Sequence, residues 1–227
     1  MTEALIIDAC RTPRGIGKPG KGALAEIHPH RLGSTVLKAI AERNSLDTSA
    51  VDDIIWGTSA QMGPQAGDLG RMCALDAGFD VKSSAMTLDR FCGSGITSVN
   101  IAAANIMAGM EDLTIGGGTE MMSLSGQFDR YPVMDQGNLH LRDLHPQTHQ
   151  GLCADTIATL EGIKREDVDA LAMVSQERAD HAIKNGHFDK SLVTVYKDDG
   201  SVALDHEEFP RPQTTLEGLA ELNPSFA

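Results

Sequence analysis

Asp89-Arg90-Phe91-Cys92-Gly93-Ser94-Gly95-Ile96 is the stretch of this chain best suited to chemistry. It follows a β-like run, Ala85-Met86-Thr87-Leu88, and opens an apolar helical pattern from Ile96 to Met110. A cysteine is therefore expected on the turn where a strand passes into a helix. Backbone N–H groups at a helix start lack partners and carry partial positive charge. A thiolate is stabilised there and made available as a nucleophile. Gly93, Ser94 and Gly95 are small, so a second molecule can approach the sulfur closely. The same strand–turn–helix arrangement exposes the serine of α/β-hydrolases. The competing reading of Cys92 is a buried structural thiol, since free cysteines are among the most buried residues.

Other candidate groups are weaker. Gly15-Ile16-Gly17-Lys18-Pro19-Gly20-Lys21-Gly22 fits G-x-G-x-x-G, and fits the P-loop pattern except that Gly22 stands where Ser or Thr would bind magnesium. A P-loop needs a helix to start at its lysine, and Pro29 delays one, so a loop is expected. Gly116-Gly117-Gly118 ends an apolar run and permits close approach of a neighbouring segment or ligand. His140, His145, His149 and Cys153 fall close together, but their spacing matches no zinc pattern, and no metal is expected.

The elements that must position Cys92 follow from periodicity. Residues 4–8 and Asp52 to Thr58 read as buried strands. Arg31 to Arg43 reads as an amphipathic helix with Leu32, Val36, Leu37 and Ile40 on one face. Asp68 to Ala77 reads as helical, and Leu113 to Ile115 as a strand running into the glycines. Strands alternating with helices imply a sheet covered on both faces. The alternation stops near residue 119. Met121 to Gln150 shows no clean period, and two helices follow, from Ala154 to Glu161 and from Arg165 to Lys184. Leu192 to Tyr196 and Val202 to Leu204 read as short strands around the Asp198-Asp199-Gly200 turn, and Thr214 to Leu222 as a short helix.

Composition bounds the partners. The chain has 227 residues, 41% hydrophobic and 22% charged, enough for one large domain or two small ones. Its net charge of −13, with no basic stripe, argues against nucleic acid and against an anionic membrane surface. The four cysteines are widely spaced, which reads as reduced thiols in a cytoplasmic-type compartment. The N-terminus lacks signal-peptide character, and no apolar run approaches transmembrane length.

Several motifs together carry a family resemblance. Arg11-Thr12-Pro13, Asp89-Arg90-Phe91-Cys92-Gly93-Ser94-Gly95 and Gly116-Gly117-Gly118-Thr119-Glu120-Met121-Met122-Ser123 stand in the order and spacing of the thiolases. His149-Gln150-Gly151-Leu152-Cys153-Ala154-Asp155 resembles the H-M-G-x-T-A-E segment of the thiolase loop domain. Ser175-Gln176-Glu177-Arg178-Ala179, Phe209-Pro210-Arg211-Pro212 and the run from Thr214 to Phe226 are also similar. The resemblance implies an α/β fold: a thiolase-like N-terminal half with a mixed sheet covered by helices over 1–120, and an inserted α+β loop domain over 121–227. It implies a thiolase-type acyl-CoA acyltransferase, cleaving 3-ketoacyl-CoA or condensing acetyl-CoA through an acyl-enzyme on Cys92. By position, His149, Arg211 and Phe226 match family residues around coenzyme A. The coenzyme is part of the substrate, and no resident cofactor is implied.

There are departures. Gln150, Cys153 and Asp155 stand where the family often has Met, Thr and Glu, and Gly218 where some members have Ser. No N-E-A-F segment, G-H-P histidine or C-x-G-G cysteine occurs, and these mark the C-terminal core half. The expectation is an N-terminal part that is poorly active alone. The alternatives are a split subunit that needs a complementary C-terminal half, and a non-catalytic acyl-CoA-binding or scaffold protein. Members of the family are dimers or tetramers, so a homo-oligomer is expected; Met121 to Gln150 overlaps the tetramer-contact region of some of them.

Overall fold

The computed structural model describes residues 3–125 and 134–226. These fall into two compact units. The first joins the chain up to about residue 128 with Asp189–Phe209, and the second takes about 129–188 together with Pro210 to the C-terminus.

In the first unit, helix α1 (Pro29–Arg43) is started by His28, whose ring nitrogen accepts the His30 amide at 3.2 Å, and by Pro29 in the first turn. Strand β1 (Asp53–Gly57) is buried along its whole length. Helix α2 (Leu69–Asp76) is capped by the Asp68 carboxylate on the Arg71 amide at 3.3 Å. Strand β2 (Ser84–Leu88), helix α3 (Ser94–Ala108), strand β3 (Thr114–Gly118) and the short helix α4 (Met122–Ser125) follow. Gly109 stops α3 in a left-handed conformation, φ 70°. The predicted helix over 68–77 and the predicted strands around 54, 86 and 114 are thus present, with ends moved by a few residues.

The sheet order is β2-β1-β3 and both pairings are parallel, with Asp53 opposite Ser84 and Thr114, and Gly57 opposite Leu88 and Gly118. This bears out the α/β class; the three-stranded sheet itself is parallel throughout, not mixed. Helix α3 packs on β1 and β3, α2 packs on β1 and β2, and α1 packs on α2. Leu37, Val51, Ile54, Trp56, Leu69, Cys73 and Phe79 form the core. Gly33 lets α1 and α2 cross closely, because a Cβ there would strike the Cys73 sulfur. Gly117 likewise lies where any Cβ would enter the Trp56 ring. The glycines at the end of β3 therefore admit the close approach of a neighbouring segment that the sequence suggests.

Two expectations need correction. Residues 4–8 form no strand: Leu5, Ile6 and Ile7 are 80%, 84% and 75% exposed. A strand exists only through a hydrogen-bonded neighbour, and this segment is anchored downstream instead. The Arg11 amide donates to Ser191 at 2.8 Å, and the Val193 amide donates to Arg11 at 2.9 Å. Further, Phe91–Ala108 is long and apolar enough by composition to cross a membrane. Its character comes from a run of small and aliphatic residues; Ser94, Thr97, Ser98 and Ala102 are buried on the side that packs on the sheet, while Ile96, Val99 and Met107 are exposed.

Strands β4 (Val195–Tyr196) and β5 (Val202–Leu204) pair antiparallel around Gly200, whose φ is 82°. They join Leu24 in a second small core. Asp189–Phe209 is held to the glycine-rich loop by two carboxylates. Glu207 pairs with Arg11 at 2.5 Å and accepts the Arg14 amide at 2.9 Å, and Glu208 accepts the Ile16 amide at 3.0 Å and the Ala23 amide at 3.1 Å. The loop amides face an internal carboxylate, and no helix starts at Lys21, as expected of a loop and not of a P-loop.

In the second unit, part of the segment expected to be irregular forms helix α5 (Leu139–Leu144), capped by Asn138; residues 126–133 of that segment lie outside the described residues. Short polar-rich helices of this kind have too few repeats for a period to show in sequence. Helix α6 (Gln150–Glu161) begins four residues earlier than predicted because His149 caps it. Helix α7 (Arg165–Lys184) has the predicted bounds, and its first turn is closed by Asp167 on the Lys164 amide at 2.9 Å. Arg165 reaches from α7 to the carbonyls of Leu219 and Leu222, at 2.6 and 3.1 Å, at the end of helix α8 (Leu216–Ala220).

Candidate active site

Because the three strands are parallel, the loops that leave their carboxyl ends meet at one edge of the sheet, where open α/β sheets place ligands. Residues 58–59 leave β1, 89–93 leave β2 and 119–121 leave β3. Side chains tie these loops together. Glu120 accepts the Ser59 amide and hydroxyl, each at 2.6 Å, and the Gln65 side-chain amide at 3.1 Å. The Gln65 carbonyl accepts the Met121 amide at 2.6 Å. Trp56 donates its indole N–H to Thr119 at 2.9 Å. None of Gln65, Thr119 and Glu120 was assigned a role from sequence; a lone Gln or Glu on a loop carries no periodic signal.

Cys92 lies on the β2–α3 turn, as the sequence predicts, and it is exposed, which excludes the buried structural reading. Phe91 before it is left-handed, φ 47°, and 61% exposed. Ser94 is buried behind the turn. It sits on the end of β1, where Gly57 has no side chain: a Cβ at Gly57 would come within 2.8 Å of the Ser94 carbonyl carbon. The Ser94 and Thr97 amides donate to the Phe91 and Gly93 carbonyls at 3.1 and 3.0 Å. Those of Gly95 and Ile96 have no backbone partner among the described residues. A Cβ at Gly95 would meet nothing within 4 Å, so internal packing does not demand glycine there.

The other thiols differ. Burial pushes the Cys73 thiol up to about 12, and burial also raises Cys10, which is half-buried beside Arg43 and Asp8. Thiolate is the reactive form, so both are suppressed as nucleophiles. Cys10 and Trp56 line a cleft of about 200 Å³ beside α1 and β3 that does not include Cys92. Cys153 is exposed within α6.

The three predicted coenzyme residues belong to the second unit, and the structure brings two of them together. The His149 and Phe226 rings are 4.9 Å apart between centroids and tilted by 33°. His149 also accepts the Gly151 amide on Nδ1 at 3.1 Å, which starts α6. Arg211 lies on a turn: its amide donates to Gln176 at 2.7 Å, and its carbonyl accepts the Thr214 hydroxyl at 2.7 Å. Among the described residues no group of three or more His, Cys, Asp or Glu side chains could hold a metal ion.

The family model of the thiolase N-terminal domain matches residues 4–227. A beta-ketoadipyl-CoA thiolase of Acinetobacter baylyi is 37% identical over 98% of this chain and 59% of its own length. A steroid 3-ketoacyl-CoA thiolase of Mycobacterium tuberculosis is 35% identical over 99% of this chain and 56% of its own. An acetyl-CoA acetyltransferase of Cupriavidus necator is 35% identical over 100% and 60%. The chain thus spans less than two thirds of the length of these curated relatives. The matched model runs through the strand–turn–helix that carries Cys92 and on through the segment that carries His149, Arg211 and Phe226, and on that ground the chain belongs to the thiolase family, as its N-terminal domain.

Proposed function

We propose that this chain is the acyl-accepting part of a thiolase-type acyl-CoA acyltransferase, with Cys92 as nucleophile. The observation that supports it is the exposed Cys92 on a strained turn at the start of α3, at the carboxyl end of a parallel sheet. The Cys92 sulfur attacks the thioester carbonyl of an acyl-CoA. The tetrahedral oxyanion is met by the Cys92 amide, in the partial positive field of the first turn of α3. Collapse expels the coenzyme A thiolate and leaves a thioester on Cys92. A second acceptor then takes the acyl group, giving ping-pong kinetics.

In this reading the second unit is the coenzyme-binding loop domain. The His149–Phe226 pair offers an apolar, aromatic surface to the pantetheine arm, and Arg211 a planar cation to a phosphate or the adenine. Acyl-CoA and coenzyme A are the ligands, with no resident cofactor. Complete turnover calls for a histidine to deprotonate Cys92 and a second cysteine to move the α-proton. The family resemblance places both on motifs that this sequence does not contain, so acylation without turnover is the behaviour expected of the chain, and its assembly is with a complementary half or in a homo-oligomer.

The test is an intact-mass spectrum after brief exposure to acetyl-CoA, with peptide mapping. A single acetyl group on Cys92, absent from Cys92→Ser, supports the reading. Acetyl groups confined to Cys153, or none in the presence of a thiolase C-terminal half, would sink it.

A further inference from the structure

Phe91 is held in its left-handed conformation from both sides. Its amide donates to the Asp89 carboxylate at 2.7 Å, and its carbonyl accepts the Ser94 hydroxyl at 2.6 Å. The same Ser94 oxygen accepts the Arg90 amide at 2.9 Å, so one hydroxyl closes both ends of the turn. The other acceptor within reach, the Thr58 carbonyl, lies at 3.5 Å and is the poorer partner. A side chain at φ 47° is sterically disfavoured, and an exposed ring gains little packing to offset this. Were Phe91 to relax to negative φ, the peptide joining it to Cys92 would rotate and the sulfur would leave the start of α3.

We propose that Asp89 and Ser94 are positioning residues for Cys92, acting through the backbone of Phe91. Neither reaches the reacting atoms. Each side chain supplies one hydrogen bond to Phe91, beside the one from the Ser94 amide. Ser94 in turn is seated by the bare end of β1 at Gly57, so the aim of the thiol is set by the sheet and not by the loop alone. The inference rests on Cys92 being the nucleophile.

The experiment is alkylation of the full 227-residue chain by iodoacetamide, with the rate at Cys92 divided by that at the exposed Cys153 as internal reference. Asp89→Ala and Ser94→Ala are expected to lower this ratio by about threefold to tenfold as the thiolate loses the helix start. Asp89→Asn and Ser94→Thr, which keep the acceptor and the hydroxyl, should stay within about twofold of the parent. Continued protection of Cys73 reports that a variant is folded. Asp89 is exposed, so Asp89→Ala remains a fair test if the buried Ser94 cannot be replaced without loss of the fold. Ratios within twofold of the parent in folded alanine variants would overturn the proposal. Acetyl-CoA labelling separates the two ideas. A parent that takes no acetyl group even with a thiolase C-terminal half present, while alkylation follows the pattern, refutes the acyl-enzyme alone, and acetylation of Cys92 with no effect of the variants refutes the positioning role alone.

Discussion

The ring of Phe226 fills the space in which a Cβ on Gly151 would stand. The only side chain that leaves Phe226 against the first turn of α6, and against His149, is a hydrogen atom. Gly151→Ala should push the ring away. The His149 ring protons should then lose the ring-current shift from Phe226 in an NMR spectrum. Coenzyme A affinity, measured by titration calorimetry, should fall by about threefold to tenfold, in line with roughly 1 kcal/mol for an aromatic contact. Unchanged His149 shifts would show that the ring does not rest there in solution.

Gly117→Ala tests the sheet. The new methyl group would enter the ring of Trp56, which is 2% exposed and cannot move aside. Overpacking of this kind costs about 1–3 kcal/mol, and here the obstacle is rigid. Urea unfolding should show the loss. Trp56 is the single tryptophan, so its fluorescence reports on this site alone. A midpoint equal to that of the parent would contradict the packing described.

Glu207 gives the fold a dependence on acid. Burial alone would raise its carboxyl, but the Arg14 amide and the side chains of Arg11 and Arg14 outweigh it and hold the group below its ordinary value of 4.5. A depressed folded value means the ion pair stabilises the protein fully above about pH 4.5 and loses this as pH falls through the folded value. Melting temperature should drop as pH falls below about 4.5, and Glu207→Gln should flatten that part of the curve. At pH 7 the same variant should cost about 1–3 kcal/mol, because it leaves Arg11 with a weaker partner. A curve identical in the two proteins would rule the linkage out.

The four thiols should react in a set order. Cys92 and Cys153 are exposed, Cys10 is half-buried and Cys73 is buried. With excess maleimide at pH 7, mass mapping should show Cys92 and Cys153 labelled first, Cys10 more slowly, and Cys73 only on unfolding. Early labelling of Cys73 would mean that α1 and α2 separate readily at Gly33.

The sequence carried the local rules well. Periodicity gave α1, α2, α3 and α7 within a few residues, and their ends are fixed by Pro29, Asp68, Gly109 and Asp167 acting on their own neighbours. It placed Cys92 on a strand-to-helix turn for the same reason. It failed on residues 4–8, whose continuous apolar run is a promise of a strand that only a neighbouring edge can keep. It read Gly116-Gly117-Gly118 as allowing close approach of a neighbouring segment or ligand, but could not name Trp56, 61 positions away from Gly117 in the chain, as the neighbour.

What the sequence determined by itself was therefore chemistry and short-range geometry: a thiol between a strand and a helix, a loop at the early glycines, and the bounds of α7. These depend on residues within four or five places of one another, where the chain fixes the distance. The tertiary structure decided which of them act together. The parallel register of β1, β2 and β3 brings Thr58, Cys92 and Glu120 to one end of a sheet, and the fold sets Phe226 on Gly151. Such pairings join residues far apart in sequence, and their free energy comes from burying surface that no single segment can bury by itself.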